Sequence, residues 1–206
     1  MTTRDSKLTG VILAGGLNSR MGGRSKALLS YQGRTFLEHQ LEVMRSCCQE
    51  LLLVTNEPDR HKPVLPKHFN VTLIPDRQPG LGPLGGMQAA LHAAKNDTLW
   101  VAACDMPFIS ATAAQALVGL LEEDSRDAAV PRLHGRVQPL HGLYRRRCLP
   151  FVERQLQAED LRLMRLLDKL YTAYADEDFF ETRQIGLDFA RNVNDPAAYE
   201  QLLQGR

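Results

Sequence analysis

Residues 9–26 read TGVILAGGLNSRMGGRSK, and the join between the two halves of this stretch decides the fold. Thr9 to Ala14 form an apolar run of strand length, the pattern of a strand buried on both faces. Leu13 to Lys26 then bring four glycines, two arginines, two serines and one lysine together. Glycine lets backbone N–H groups approach a ligand closely, and the basic side chains add positive charge. A strand that runs into such a loop reads as a grip for phosphate. Two better-known phosphate loops do not fit. The G-x-x-x-x-G-K-[ST] pattern fails because Lys26 follows Ser25 and precedes Ala27. The G-x-G-x-x-G pattern fails because Gly15 and Gly16 are adjacent and the next glycine is Gly22. A plain surface loop is the remaining alternative. The position directly after a buried strand argues against it.

Outward from this join, short apolar runs alternate with helical periodicity. Leu51–Thr55, Val71–Ile74, Leu99–Ala103 and Ala128–Val130 read as further strands. Thr35–Ser46, Leu84–Ala94 and Ala111–Leu121 read as helices, the first opened by a capping box of Thr35 and Glu38. Such alternation predicts an α/β fold: a three-layer sandwich around a mostly parallel, doubly wound, Rossmann-like sheet. Ligands bind such sheets at the carboxyl ends of the strands. The chemically distinctive residues fall there: LAGG after the first strand, Asn56 after the second, Asp76 after the third, Cys104-Asp105-Met106-Pro107 after the fourth. The last third is less regular. Gln138–Tyr144 reads as a strand bordering the site, and Cys148–Leu170 as helices broken near Ala158–Asp160. A closing helix is opened by Asn194-Asp195-Pro196. Without repeats or a linker, residues 1–206 read as one domain, the first seven a flexible lead-in.

Composition narrows the function. A chain of 206 residues buries roughly 70% of its unfolded surface and needs no staples. A formal net charge of +1 argues against a nucleic-acid binder. The four cysteines lack C-x-x-C spacing, so zinc is not expected, and they read as reduced thiols. The polar N-terminus and short apolar runs predict a cytoplasmic protein with no membrane partner.

LAGGLNSRMGGRSK resembles the L-A-G-G-x-S-x-R-M-G-x-x-K signature of the molybdenum cofactor guanylyltransferases, within the nucleotidyltransferase superfamily, with the serine one position out of register. Gly82–Gly86 (GPLGG) is similar to the family's G-P-L-x-G, and Cys104–Phe108 (CDMPF) to its C-D-M-P-F. Pro139–Tyr144 resembles a later segment, and Asn192–Pro196 (NVNDP) the family's N-x-N-T-P. The five motifs occur in the family's order and span about residues 8–203.

The resemblance implies transfer of GMP from GTP to the terminal phosphate of the molybdenum–molybdopterin cofactor, with release of pyrophosphate. Proteins that deliver the cofactor and accept the product are the implied macromolecular partners. It implies that the backbone of Leu13, Ala14, Gly15 and Gly16 approaches base and phosphates. Arg20 and Lys26 would hold the triphosphate, and Asn56, Asp76 and Gly82 would line the nucleotide site. Asp105 would bind Mg2+, with Asn192 or Asn194 as a second ligand. Asp76 suits guanine, because an ionised carboxylate only accepts hydrogen bonds. The alternatives are a cap or turn role for Asp105, Asp76 and Asn194.

Other signals have plainer readings. Arg24 matches no charged family position, and Cys47-Cys48 reads as packing. Arg145-Arg146-Arg147 reads as a solvated basic face, with a grip on the pterin phosphate as the alternative, and His141 as a structural ring, with a substrate contact as the alternative. Two rival functions stay open at this point. One is a cytidylyltransferase or other nucleotidyltransferase acting on a phosphorylated small molecule, although CTP-using relatives tend to carry L-A-A-G. The other is a non-catalytic nucleotide or cofactor carrier, against which Lys26 and Asp105 occurring together argue.

Overall fold

A computed structural model describes residues 7–15, 25–76 and 80–205. Along the chain these form β1 (Leu8–Leu13), β2 (Ser30–Tyr31), β3 (Arg34–Thr35), α1 (Phe36–Arg45), β4 (Glu50–Thr55), α2 (Pro58–His61), β5 (Val71–Pro75), α3 (Gly82–Ala93) and β6 (Thr98–Ala103). The remainder forms α4 (Ala111–Glu122), β7 (Ala128–Leu133), β8 (Arg136–Val137), β9 (Gly142–Arg145), α5 (Leu149–Gln157), α6 (Leu163–Leu167), β10 (Thr172–Ala175), α7 (Glu177–Glu181) and α8 (Pro196–Leu203).

The main sheet runs β10-β7-β9-β6-β1-β4-β5, with β8 paired to β7. All neighbours along this path are parallel except β9, which lies antiparallel between β6 and β7. Alternate residues of each strand feed opposite cores, as a strand's two-residue period requires. Ile12, Leu51, Leu53, Trp100 and Ala102 pack under α1 and α4. Val11, Leu13, Leu52, Val54 and Val101 pack under α3, α5 and α6. Both faces are therefore apolar, which is why the strands read as near-continuous hydrophobic runs. A third, smaller cluster of Leu29, Phe36, Val193 and Leu202 brings α8 against the start of α1.

Local signals explain the helix ends. The Thr35–Glu38 capping box is formed in both directions. Ser110 caps α4 and Asp195 caps α8. α3 begins two residues before its expected start, since Pro83 suits a first turn and Gly82 takes a positive φ of 58°. The segment Gln138–Tyr144 is strand only from Gly142; Gln138–Leu140 are a connection. Among the described residues, no helix is long and apolar enough to cross a membrane.

The chain leaves β1 through α1 towards β4 and β5, then returns through α3 to β6 on the other side of β1. This reversal opens a crevice at the carboxyl ends of β1 and β6, the place where doubly wound sheets take ligands.

Candidate active site

The crevice is a cavity of about 660 Å³. Leu13, Gly15, Lys26, Asp76, Gly82 and Asp105 all line it. Its apolar walls come from Val54, Pro83, Leu140 and Leu163, and Gln138 and Asn192 add polar groups. The strand ends are pinned around it: Ala14 N–H donates to Val54 O at 2.8 Å and Cys104 N–H to Leu13 O at 3.1 Å.

One end of the cavity is charged. Lys26 Nζ donates to Asp105 Oδ2 at 2.9 Å, each side chain being 17% exposed. The same ammonium lies 3.4 Å from Asn194 Oδ1. Lys26 opens a single 3-10 turn, Lys26–Leu28, and Asp105 sits in the turn after β6. Three contacts hold that turn. Val193 N–H donates to Asp105 O at 2.8 Å. Gln40 Nε2 donates to Ala103 O at 2.7 Å and to Met106 O at 2.9 Å. Asp105 is therefore not the cap of α4, which is Ser110, and Asn194 is not the cap of α8, which is Asp195.

The motif reading missed Gln40. It is fully buried on the stripe of α1 that also carries Leu37, Leu41 and Met44. An amide inside an apolar helical stripe is the signal that could have found it, since a buried polar group needs partners. Gln40→Leu should destabilise the protein by about 1–3 kcal/mol, the cost of unsatisfied buried groups. Urea denaturation would measure this, and turnover should fall with it as the Asp105 turn loosens. Unchanged stability would show that the amide does not hold the turn.

The other end carries Asp76, 9% exposed, in the loop after β5. A Cβ built on Gly15 would lie 3.2 Å from Asp76 Oδ2, and one on Gly85 only 2.8 Å from Leu81 Cβ. Glycine at position 15 lets the end of β1 close on the carboxylate, and glycine at position 85 lets the first turn of α3 sit against Leu81. Asn56 is exposed and donates its amide to Gly15 O at 2.8 Å, bracing the chain where it leaves β1. Ala14, beside Gly15, is buried. The first residues of α3, Gly82 and Pro83, face the cavity, so the positive end of a 12-residue helix points at whatever enters. Gly16, Arg20 and Arg24 lie outside the described residues.

Burial pushes the Cys104 thiol up to about 12, with the Asp105 charge adding and Lys26 opposing. It is a neutral wall group, not a nucleophile. His141 is buried between Trp100 and Phe189, and its Nε2 accepts from Ser110 N–H at 3.1 Å. Burial holds its pKa down to about 3, the state of a neutral structural ring. The basic run sits far off: Arg145 pairs in register with Thr98, at the start of β6. That is the end of the sheet away from the cavity, where Arg145 bonds Asp97 at 3.0 Å and Arg147 bonds Asp127 at 2.7 Å.

A paired lysine and carboxylate at one end, a second carboxylate at the other and a helix N-terminus between them suit a nucleoside triphosphate. Comparison with known proteins agrees. Residues 10–174 match the family model of the MobA-like NTP transferase domain. A Carboxydothermus hydrogenoformans protein named "Probable molybdenum cofactor guanylyltransferase" is 34% identical over 197 residues, covering 96% of this chain and 95% of its own. A Bacillus cereus protein of the same name is 36% identical over 199 residues, covering 95% and 96%. The solved structure of molybdopterin-guanine dinucleotide biosynthesis protein A from Archaeoglobus fulgidus superposes with a TM-score of 0.80 at 24% identity, covering 95% of this chain and 97% of that one. That last likeness is one of fold.

Proposed function

The chain belongs to the MobA-like NTP transferase family, and on that premise we propose that it transfers GMP from GTP to the terminal phosphate of the molybdenum–molybdopterin cofactor. The reaction joins an acceptor phosphate oxygen to the α-phosphorus of GTP and breaks its bond to the bridging oxygen of the departing pyrophosphate. The observation that carries the reading is the Lys26–Asp105 pair, 2.9 Å apart, at one end of a cavity that has Asp76 at the other.

No covalent intermediate is needed; the task is alignment and charge neutralisation. Asp76 would accept from the N–H edge of guanine. Leu13, Ala14, Gly15 and Gly16 would offer backbone groups, Asn56 would hold Gly15 in place, and Gly82 would start the helix whose positive end faces the phosphates. Lys26, with Arg20, would take the charge of the triphosphate and of the leaving pyrophosphate.

The donor set near Asp105 fits Mg2+. It would consist of oxygens, from the Asp105 carboxylate and the side-chain carbonyl of Asn192 or Asn194; Asp105 and Asn194 accept from Lys26 in this structure, so the ion would share them with the ammonium. Magnesium favours one or two carboxylates plus phosphate oxygens and water. Bound there, the ion would supply positive charge to the phosphates. On the same reading the chain works as a single nucleotidyltransferase domain in the cytoplasm, between proteins that deliver the cofactor and proteins that accept it.

Titration calorimetry with GTP, CTP and ATP in magnesium tests the base assignment. GTP should bind best, and Asp76→Asn should cut that preference about 10- to 100-fold, the range for hydrogen bonds to a charged group. A preference for CTP would overturn the guanine assignment. Pyrophosphate release in the presence of molybdopterin cofactor then tests the transfer itself.

A further inference from the structure

His61 is fully buried at the end of α2, outside the cavity, and no motif accounts for it. Its Nδ1 lies 3.0 Å from the Glu57 carbonyl oxygen, which can only accept, so Nδ1 carries the proton. Thr55 Oγ1 shares that proton at 2.9 Å and itself accepts from Glu57 N–H at 3.0 Å. Nε2 is then an acceptor, and the hydroxyl 3.1 Å away, Ser25 Oγ, donates to it. Ser25 is buried and immediately precedes Lys26, and its carbonyl closes the turn by accepting from Leu28 N–H at 3.0 Å. Thr55 ends β4 and immediately precedes Asn56, which braces Gly15.

We infer that neutral His61 is a positioning residue of the nucleotide site, tying Ser25, and through it Lys26, to the end of β4. This rests on the reading of the cavity as a nucleotide site. A lysine has four rotatable carbons, so the direction in which it leaves the backbone is worth fixing. The imidazole links the segment that carries the ammonium to the segment that supports Gly15. Among the described residues the charged groups facing the ring are Glu57 and Arg60, which pair with each other at 3.1 Å. Burial holds the ring below the ordinary histidine value; Glu57 opposes that shift and Arg60 adds to it. Near neutral pH the ring is therefore uncharged and can accept from Ser25. Acidification would protonate Nε2 and remove the acceptor.

The test is GTP binding by calorimetry with magnesium, without the pterin, on Ser25→Ala, His61→Asn and His61→Gln. Asparagine can keep the donor near Nδ1 but offers nothing at the Nε2 position. Glutamine can place an acceptor there. Ser25→Ala and His61→Asn should each weaken GTP binding about tenfold, and their double variant should be no worse than either alone. His61→Gln should stay within about threefold of the unmodified protein. It should also lack an acid-side loss of affinity that the unmodified protein shows below the ordinary histidine range. If Ser25→Ala binds GTP as well as the unmodified protein, the inference fails; that variant removes one oxygen and carries the test even if a His61 variant misfolds. If His61→Gln falls with His61→Asn and the acid-side loss is the same in both proteins, the ring is structural only. If the unmodified protein binds no nucleotide, the nucleotide-site reading fails first, and the experiment tells the two failures apart.

Discussion

Asp105→Asn should abolish nucleotidyl transfer, lowering kcat by about 10³ or more, while leaving the protein folded. The size follows from the role: a preorganised polar group aimed at developing charge is worth about 10²–10³ by itself, and this carboxylate would also bind the cation. Asparagine keeps the shape and removes the charge. The fold survives because the turn is held by groups the substitution leaves in place. Val193 N–H still meets the Asp105 carbonyl, and Gln40 still grips Ala103 and Met106. Lys26 loses its carboxylate but keeps Asn194 Oδ1 at 3.4 Å and an opening to solvent. The pair faces a cavity, so the heavy cost of breaking a fully buried ion pair does not apply in full. Pyrophosphate release measures the loss, and thermal unfolding followed by circular dichroism checks the fold. Transfer that persists within tenfold would remove Asp105 from the chemistry. A collapse of the melting temperature would make it structural.

The strands around the cavity were legible because a sheet covered on both faces leaves unbroken apolar runs, as in Leu51–Val54 and Leu99–Ala103. The start of α1 was legible because its capping box is local chemistry. What needed the folded chain was pairing at a distance. β9 enters antiparallel between two parallel neighbours, and nothing within Gly142–Arg145 says which strands flank it. β10, only Thr172–Ala175, is too short to show a period, and it went unread. The site divides in the same way. Lys26 and Asp105 stand in motifs that follow strands, and Asp76 directly follows a strand, so the sequence could point to them, and the fold brings all three to one cavity. Gln40 and His61 bond partners 63 and 36 residues away. A polar residue on an apolar helical stripe shows that partners are needed, but not which residues supply them. Asn56 shows the opposite limit: its position was legible, but its amide bonds Gly15.

Lys26→Ala should cost about 10²–10³ in kcat/KM, the loss of one preorganised charge on the triphosphate. GTP binding should weaken with it, because the ammonium would meet the nucleotide in the ground state as well as in the transition state. Lys26→Arg should restore little. The lysine is a compact point charge held within hydrogen-bond distance of both Asp105 and Asn194. A planar fork of five donors cannot take that place without moving one of them. The decisive comparison is the double variant. If Lys26 and Asp105 act as one unit on the same phosphates, Lys26→Ala combined with Asp105→Ala costs about as much as the worse single change, since groups that act together are strongly non-additive. Additive losses would mean that the 2.9 Å pair is a resting contact between residues with separate tasks. A Lys26→Ala variant within tenfold of full activity would take the lysine out of the triphosphate grip altogether. The charge would then have to come from elsewhere in the glycine-rich segment.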